Sequence, residues 1–97
     1  MSTSTIKRNN RLLMARNLPS NANLNDYYTE AHTGIWYIGS NASMSNCPDS
    51  YGTLIVTNNG CQSQIILRTY RIYWRLRTGN PQTWGSWYKY ELSQQSY

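Results

Sequence analysis

The spacing of apolar and polar residues predicts a chain of short strands. From residue 34 onward, β-branched and aromatic runs alternate with clusters of Gly, Pro, Asn and Ser, as in strands joined by turns. Asn59–Gly60 is a strong hairpin signal between two of these runs. The predicted strands are residues 35–38, 53–57, 63–68, 71–77 and 88–92. We therefore expect a mainly β fold, a small antiparallel meander or sandwich-like knob, with a short helix or turn at residues 24–30 packed at one end.

The fourth run alternates most clearly between two kinds of side chain. One face carries Tyr70, Ile72, Trp74 and Leu76. The other face carries Arg71, Tyr73, Arg75 and Arg77. Successive side chains on a strand point to opposite faces, and a sheet normally buries its apolar face. We therefore expect the Arg/Tyr residues to form an outward stripe.

Composition indicates one small domain. A chain of 97 residues has little stability to spare for a second core or a large, multi-part active site. Charged residues make up only 13%, whereas aromatic residues also reach 13% and are all Tyr or Trp. The aromatic content is enough to nucleate a core, so we expect the chain to fold.

Basic residues are concentrated near the N-terminus. Residues 1–20 contain four of the nine cations and no acid, and Pro19 precedes a polar connection. We predict a basic arm at 1–20, used for docking or oligomerisation, and a β-rich knob at 21–97. The residues expected to dock are Lys7, Arg8, Arg11, Leu12, Leu13 and Arg16.

The reactive residues form no recognisable catalytic or metal-binding pattern. Cys47 and Cys61 have no nearby ligand pair, so we expect no metal and no cofactor. They could form a disulfide in an oxidising compartment or remain free. His32 is the only histidine and there are four acids, so we expect no enzyme. No apolar run is long enough to span a membrane, and we expect no membrane insertion.

Six short motifs follow one another in an order that resembles a known family. They are LP at 18–19, NLND at 23–26, TGIWYI at 33–38, QI at 64–65, RIYWR at 71–75 and WGSW at 84–87. The series resembles the pyocin-knob type domain of bacteriophage tail fibres. The departures are Asn in place of a frequent Asp in the opening motif, Trp36 beside Tyr37 in the first strand, and an insertion at 41–50 that carries Cys47. The resemblance implies a small β-rich virion module, often trimeric, at or near the end that contacts the host.

Two groups of residues are candidate ligand contacts. The stripe of Arg71, Tyr73, Arg75 and Arg77 would suit an anionic polysaccharide, a phosphate or RNA. The alternatives are a solvated edge strand or a subunit interface. Trp84 and Trp87 could stack on a sugar, or else pack in the core of this Phe-free protein.

The leading hypothesis is a virion structural protein, a fibre or appendage knob held by its arm, that contributes to binding a host surface glycan. Its expected partners are other virion proteins of the capsid, collar or tail, and further copies of itself in a trimer. One alternative is a head decoration protein with no receptor role. Another is a small RNA- or DNA-binding domain that uses the Arg/Tyr face. Its weakness is that the cations are not spread over one surface.

Overall fold

Seven strands form a single mixed sheet in the computed structural model, which describes residues 14–39 and 43–93. The strands are β1 (Arg16–Asn17), β2 (Gly34–Ile38), β3 (Gly52–Asn59), β4 (Cys61–Leu67), β5 (Arg71–Gly79), β6 (Gln82–Trp84) and β7 (Tyr88–Glu91). A 3₁₀ helix, Leu24–Asp26, lies in the region 24–30 that was predicted as a short helix or turn, and a second, Glu30–His32, begins at the end of that region. The prediction of a mainly β fold is confirmed. Strands β1 and β6 were not predicted.

The sheet is an antiparallel meander with additions at both edges. Strands β2 to β5 pair in chain order, and β1 pairs with β2 in parallel. Both β6 and β7 pair with β5, so they act as one interrupted edge strand. At the interruption, residues 85–87 lie opposite only residues 75–76, and this extra residue is typical of a β-bulge. Between β3 and β4, Gly60 supplies the positive φ of 74° that the predicted hairpin turn needs.

One face of the sheet is covered by the chain between β1 and β2. Asn23 begins the first 3₁₀ helix, because its side chain accepts a hydrogen bond from the Asn25 N–H at 3.0 Å. The covering segment buries Leu18, Ala22, Leu24 and Tyr27. These pack against Trp36, Ile38, Leu54, Val56, Ile66 and Tyr73 of the sheet. We call this covered side the inner face and the opposite side the outer face.

The predicted orientation of β5 is wrong. Tyr73 and Arg75 are only 7% and 4% exposed on the inner face, whereas Trp74 and Leu76 are 37% and 44% exposed on the outer face. Alternation separates the two sides of a strand, but the neighbouring strands decide which side is covered. The register places Arg75 beside Gln64, which in turn lies beside Val56 of the core. The stripe of Arg71, Tyr73, Arg75 and Arg77 therefore faces inward.

The folded unit begins earlier than the predicted boundary after residue 20. Arg16–Asn17 form β1, and Leu18 is buried in the core. Parallel pairing places Arg16 beside Trp36 and thereby fixes this segment on the sheet. The other predicted docking residues, Lys7, Arg8, Arg11, Leu12 and Leu13, lie outside the described residues.

Replacing Leu54 with Ala should test which face carries the core. Leu54 is fully buried, so Leu54→Ala should lower the free energy of unfolding by about 3 kcal/mol. Met14→Ala is the control, since Met14 is 66% exposed, and it should cost less than about 1 kcal/mol. Urea unfolding followed by tryptophan fluorescence measures both. Equal losses would contradict the assignment of the inner face.

Candidate functional site

The centre of the inner face is a buried glutamine. Gln64 lies on β4 and its side chain is fully buried. Its Nε2 donates hydrogen bonds to the Leu24 carbonyl at 2.7 Å and to the Tyr27 carbonyl at 2.9 Å. Its Oε1 accepts from Arg75 Nε at 2.8 Å. One amide therefore joins the covering segment to the sheet and holds the neighbouring arginine.

Arg75 is a cation buried almost completely. Besides Gln64, its neighbours are two indole rings, with its Cζ 4.3 Å from the centroid of Trp84 and 4.5 Å from that of Trp87. No described carboxylate forms an ion pair with it, and its Nη2 has no hydrogen-bond partner among the described residues. Burial lowers the pKa of Arg75 to about 10, so the side chain stays charged at neutral pH. The two ring faces supply the electrostatic stabilisation that a carboxylate would otherwise provide.

Both tryptophans are held at their ring nitrogens. Trp84 Nε1 donates to the Asn25 carbonyl and Trp87 Nε1 to the Asn46 carbonyl, each at 3.1 Å. In a regular strand, positions three apart point to opposite faces. The extra residue of the bulge at 85–87 places the side chains of both tryptophans on the same face of the sheet, so both indoles reach Arg75. The pair therefore packs at the edge of the core, and its predicted role in ligand binding stays a prediction.

The start of the Arg/Tyr stripe binds a carboxylate of the same chain. Asp49 Oδ2 accepts from the Tyr73 hydroxyl at 3.0 Å and lies 3.2 Å from Arg71 Nη1 and 3.3 Å from Arg68 Nε. Its Oδ1 accepts from the Ser50 N–H at 2.8 Å. Burial by itself would raise the pKa of Asp49, but these hydrogen bonds and the two guanidinium groups outweigh it and lower the pKa below 3.8.

The end of the stripe is also occupied within the chain. Arg77 Nη1 donates to Gln62 Oε1 at 2.9 Å and to Gln82 Oε1 at 3.2 Å, and its Cζ lies 3.9 Å from the centroid of Tyr28. All four stripe residues thus have partners in their own chain. The exposed Arg/Tyr face on which the nucleic-acid alternative depended is absent from the described part of the molecule.

Arg16 is the one predicted docking residue that the structure describes. Its guanidinium donates to the Ala31 and Thr33 carbonyls at 3.2 and 2.6 Å. Its Cζ lies 4.0 Å from the centroid of the Trp36 ring. Arg16 is therefore used within the folded unit, where it joins β1 to the end of the second 3₁₀ helix.

Sequence reasoning missed the apolar outer face. Ile35, Ile55, Ile65, Trp74 and Tyr88 lie side by side in one row across five strands. The signal was available, because β3 and β4 carry aliphatic residues at both odd and even positions. At one end of this face, Tyr37 and Tyr51 meet edge to face beside Arg68, next to an open groove of about 240 Å³.

The remaining candidate chemistry is sparse. Cys47 and Cys61 are both free. Among residues 14–39 and 43–93, no three His, Cys, Asp or Glu side chains form a group that could hold a metal ion. Within the same ranges, no helix has the length and apolar character needed to cross a bilayer. No protein-family model, curated protein sequence or solved structure matches the chain.

Replacing Gln64 with Ala should separate the covering segment from the sheet. Gln64→Ala removes three hydrogen bonds and leaves the Tyr27 carbonyl and Arg75 Nε buried without this partner, so it should cost about 3–5 kcal/mol. Gln62→Ala is the matched control on the same strand and face, because Gln62 is only half-buried, and should cost about 1 kcal/mol. Urea denaturation compares the two. Similar losses would show that Gln64 has no special role.

Asp49 should make stability fall in acid. Its pKa is lowered in the folded state, so its contribution is complete above about pH 4 and is lost as pH falls through the lower, folded value. Asp49→Asn should lower stability at pH 7 by about 1–3 kcal/mol and flatten the dependence below pH 4. The melting temperature measured from neutral to acid pH checks this. Glu91→Gln, at an exposed ion pair, is the control and should change the profile much less.

Proposed function

We propose that this chain is a structural protein of a bacteriophage virion, a knob module of a tail fibre or related appendage. The observation that carries the proposal is the meeting of the family-like motifs in one cluster. Leu24 of NLND, Gln64 of QI and Arg75 of RIYWR are linked by hydrogen bonds. Trp84 and Trp87 of WGSW enclose Arg75.

Motifs that contact one another support a resemblance better than motifs that are merely in order. The Leu24 carbonyl of the NLND motif needs a buried donor, Gln64 needs a donor for its oxygen, and Arg75 needs two ring faces. The other two motifs also contribute packed residues, Leu18 from LP and Trp36 from TGIWYI. Each short motif thus has a structural reason that depends on another, as expected for the signature of one fold.

The proposed module is architectural and adhesive rather than enzymatic. The described arginines at positions 16, 68, 71, 75 and 77 are engaged with carbonyls, carboxylates, amides or ring faces of the same chain. Their chemistry stabilises the knob. We assign host contact to the loops at residues 41–50 and 78–83, because specificity in small β domains is carried by loops on a rigid scaffold. We assign attachment to the residues that precede β1, which include Lys7, Arg8 and Arg11.

Labelling of virus particles tests the proposal. Gold-conjugated antibodies against this chain should mark fibre or appendage tips in electron micrographs of phage particles from the source. A variant lacking residues 1–13 should fold, since β1 begins at Arg16, but should not enter particles. A matched variant with Asn21→Ala in the covering segment should be incorporated normally.

Each other outcome decides against part of the proposal. Absence of label from particles would remove the virion role. Label spread over the head would favour the decoration alternative. Normal incorporation of the truncated variant would contradict attachment through the arm. Incorporated knobs that fail to bind host cells or their surface glycans would contradict the host-binding role and leave a purely architectural one.

A further inference from the structure

The outer face of the sheet concentrates the exposed apolar surface of the described chain. Ten large hydrophobic side chains are exposed among the described residues. All but Met14 lie at outward positions of the strands or just beyond the strand ends. They are Tyr37, Tyr51, Leu67, Tyr70, Trp74, Leu76, Tyr88, Tyr90 and Leu92. Such clustering differs from the scattered exposure that is normal on a monomer surface.

Register makes this surface continuous. The row from Ile35 to Tyr88 crosses β2, β3, β4, β5 and β7. The next row contains Tyr37, Thr53, Leu67, Ile72 and Tyr90 in the same strand order. Side chains in register on adjacent strands stand close together, so the two rows form one broad patch without polar gaps other than Thr53.

The two rows of the patch carry no charged side chain, and Arg68, which lies over Tyr51 at one end, is paired with Asp49. No outward position of β2, β3, β4, β5 or β7 in the two rows is Lys, Arg, Asp or Glu, although the chain has a net charge of +5. The described cations of β1 and β5 point to the inner face. Two copies can therefore bring the two rows together without opposing like charges, whereas a nucleic acid would find no cation within those rows.

The size of the patch matches a protein interface. The nine exposed side chains, five in the two rows and four next to them along the strands, are 37–60% exposed. A large aromatic side chain can bury 150–250 Å², so each contributes on the order of 100 Å² and the group about 900 Å². A standard interface needs about 800 Å² from each partner. The available area is therefore what a stable homo-oligomer requires.

Aromatic geometry favours protein over sugar as the occupant. A sugar stacks on an open ring face. Trp74 and Tyr88 instead stack on each other, with centroids 5.6 Å apart and planes 27° from parallel. Tyr37 and Tyr51 meet at 85°, with centroids 6.0 Å apart. Each of these rings already uses a face or an edge against a neighbouring ring, which leaves fewer open faces for a sugar.

We propose that the outer face is a self-association surface, on which a second copy of this chain packs sheet against sheet. The core of the interface is Ile55, Ile65, Trp74 and Tyr88, with Leu67 and Tyr90 beside it. This inference goes beyond the virion role and does not require it. In a face-to-face pair with two-fold symmetry, the same two rows of both copies are in contact.

Sedimentation of the full-length chain tests the interface. Over concentrations from about 1 to about 100 μM the chain should pass from monomer to oligomer. Tyr88→Glu should weaken self-association by at least about 100-fold, because it places a charge within an apolar contact, beside Trp74. Tyr90→Glu serves as a second variant. Both side chains are more than half exposed, so circular dichroism should show an unchanged fold.

Asn21→Glu is the matched control, with the same change in charge on the exposed covering segment of the opposite face. It should associate like the unmodified chain. A chain that stays monomeric throughout, or oligomers that persist in both Tyr→Glu variants, would overturn the inference. Particle labelling is independent of these results. A monomeric chain found at fibre tips would contradict only the proposed self-association surface. An oligomeric chain absent from particles would contradict only the proposed virion role.

Discussion

The buried guanidinium of Arg75 is the constraint around which this small protein is organised. A cation that is 4% exposed and has no described carboxylate partner must be stabilised by other means. Gln64 accepts one of its N–H groups, and the faces of Trp84 and Trp87 lie on its guanidinium. Gln64 in turn donates to the carbonyls of Leu24 and Tyr27, at the start of the first 3₁₀ helix and just past its end. The cover, the centre and the edge of the sheet therefore depend on a single charged group.

Pairing of arginine with an aromatic ring recurs throughout the structure. Arg16 lies over Trp36, Arg68 over Tyr51 and Arg77 over Tyr28. Because the chain has no Phe, its aromatic side chains are all Tyr or Trp. The polar groups of those rings need hydrogen-bond partners at the margin of the core. Arginine suits this role because its flat guanidinium stacks on a ring while its N–H groups bond to carbonyls. Much of the net positive charge is thus part of the fold rather than a binding surface.

The two faces of the sheet therefore have different roles. The inner face combines aliphatic side chains with a polar network that only its own covering segment can satisfy. The two central rows of the outer face are largely apolar, carry no charged side chain and have no cover from the described chain. A small domain that leaves one sheet face open has limited stability of its own, and association adds the missing burial. A knob that gains stability when copies associate suits the proposed role in a virus fibre, where copies are held close together.

Local pattern was enough to predict the strands β2 to β5 and β7, the Asn59–Gly60 hairpin and the mainly β class, because β-branched runs and turn residues act over a few positions. Strands β1 and β6 were missed because each is only two or three residues long and exists through its partner. Alternation along β5 separated Arg75 from Trp74, but it could not tell which of them would be buried. That choice belonged to the tertiary structure, since a buried Arg is stable only where Gln64 and two indoles, distant in sequence, converge on it.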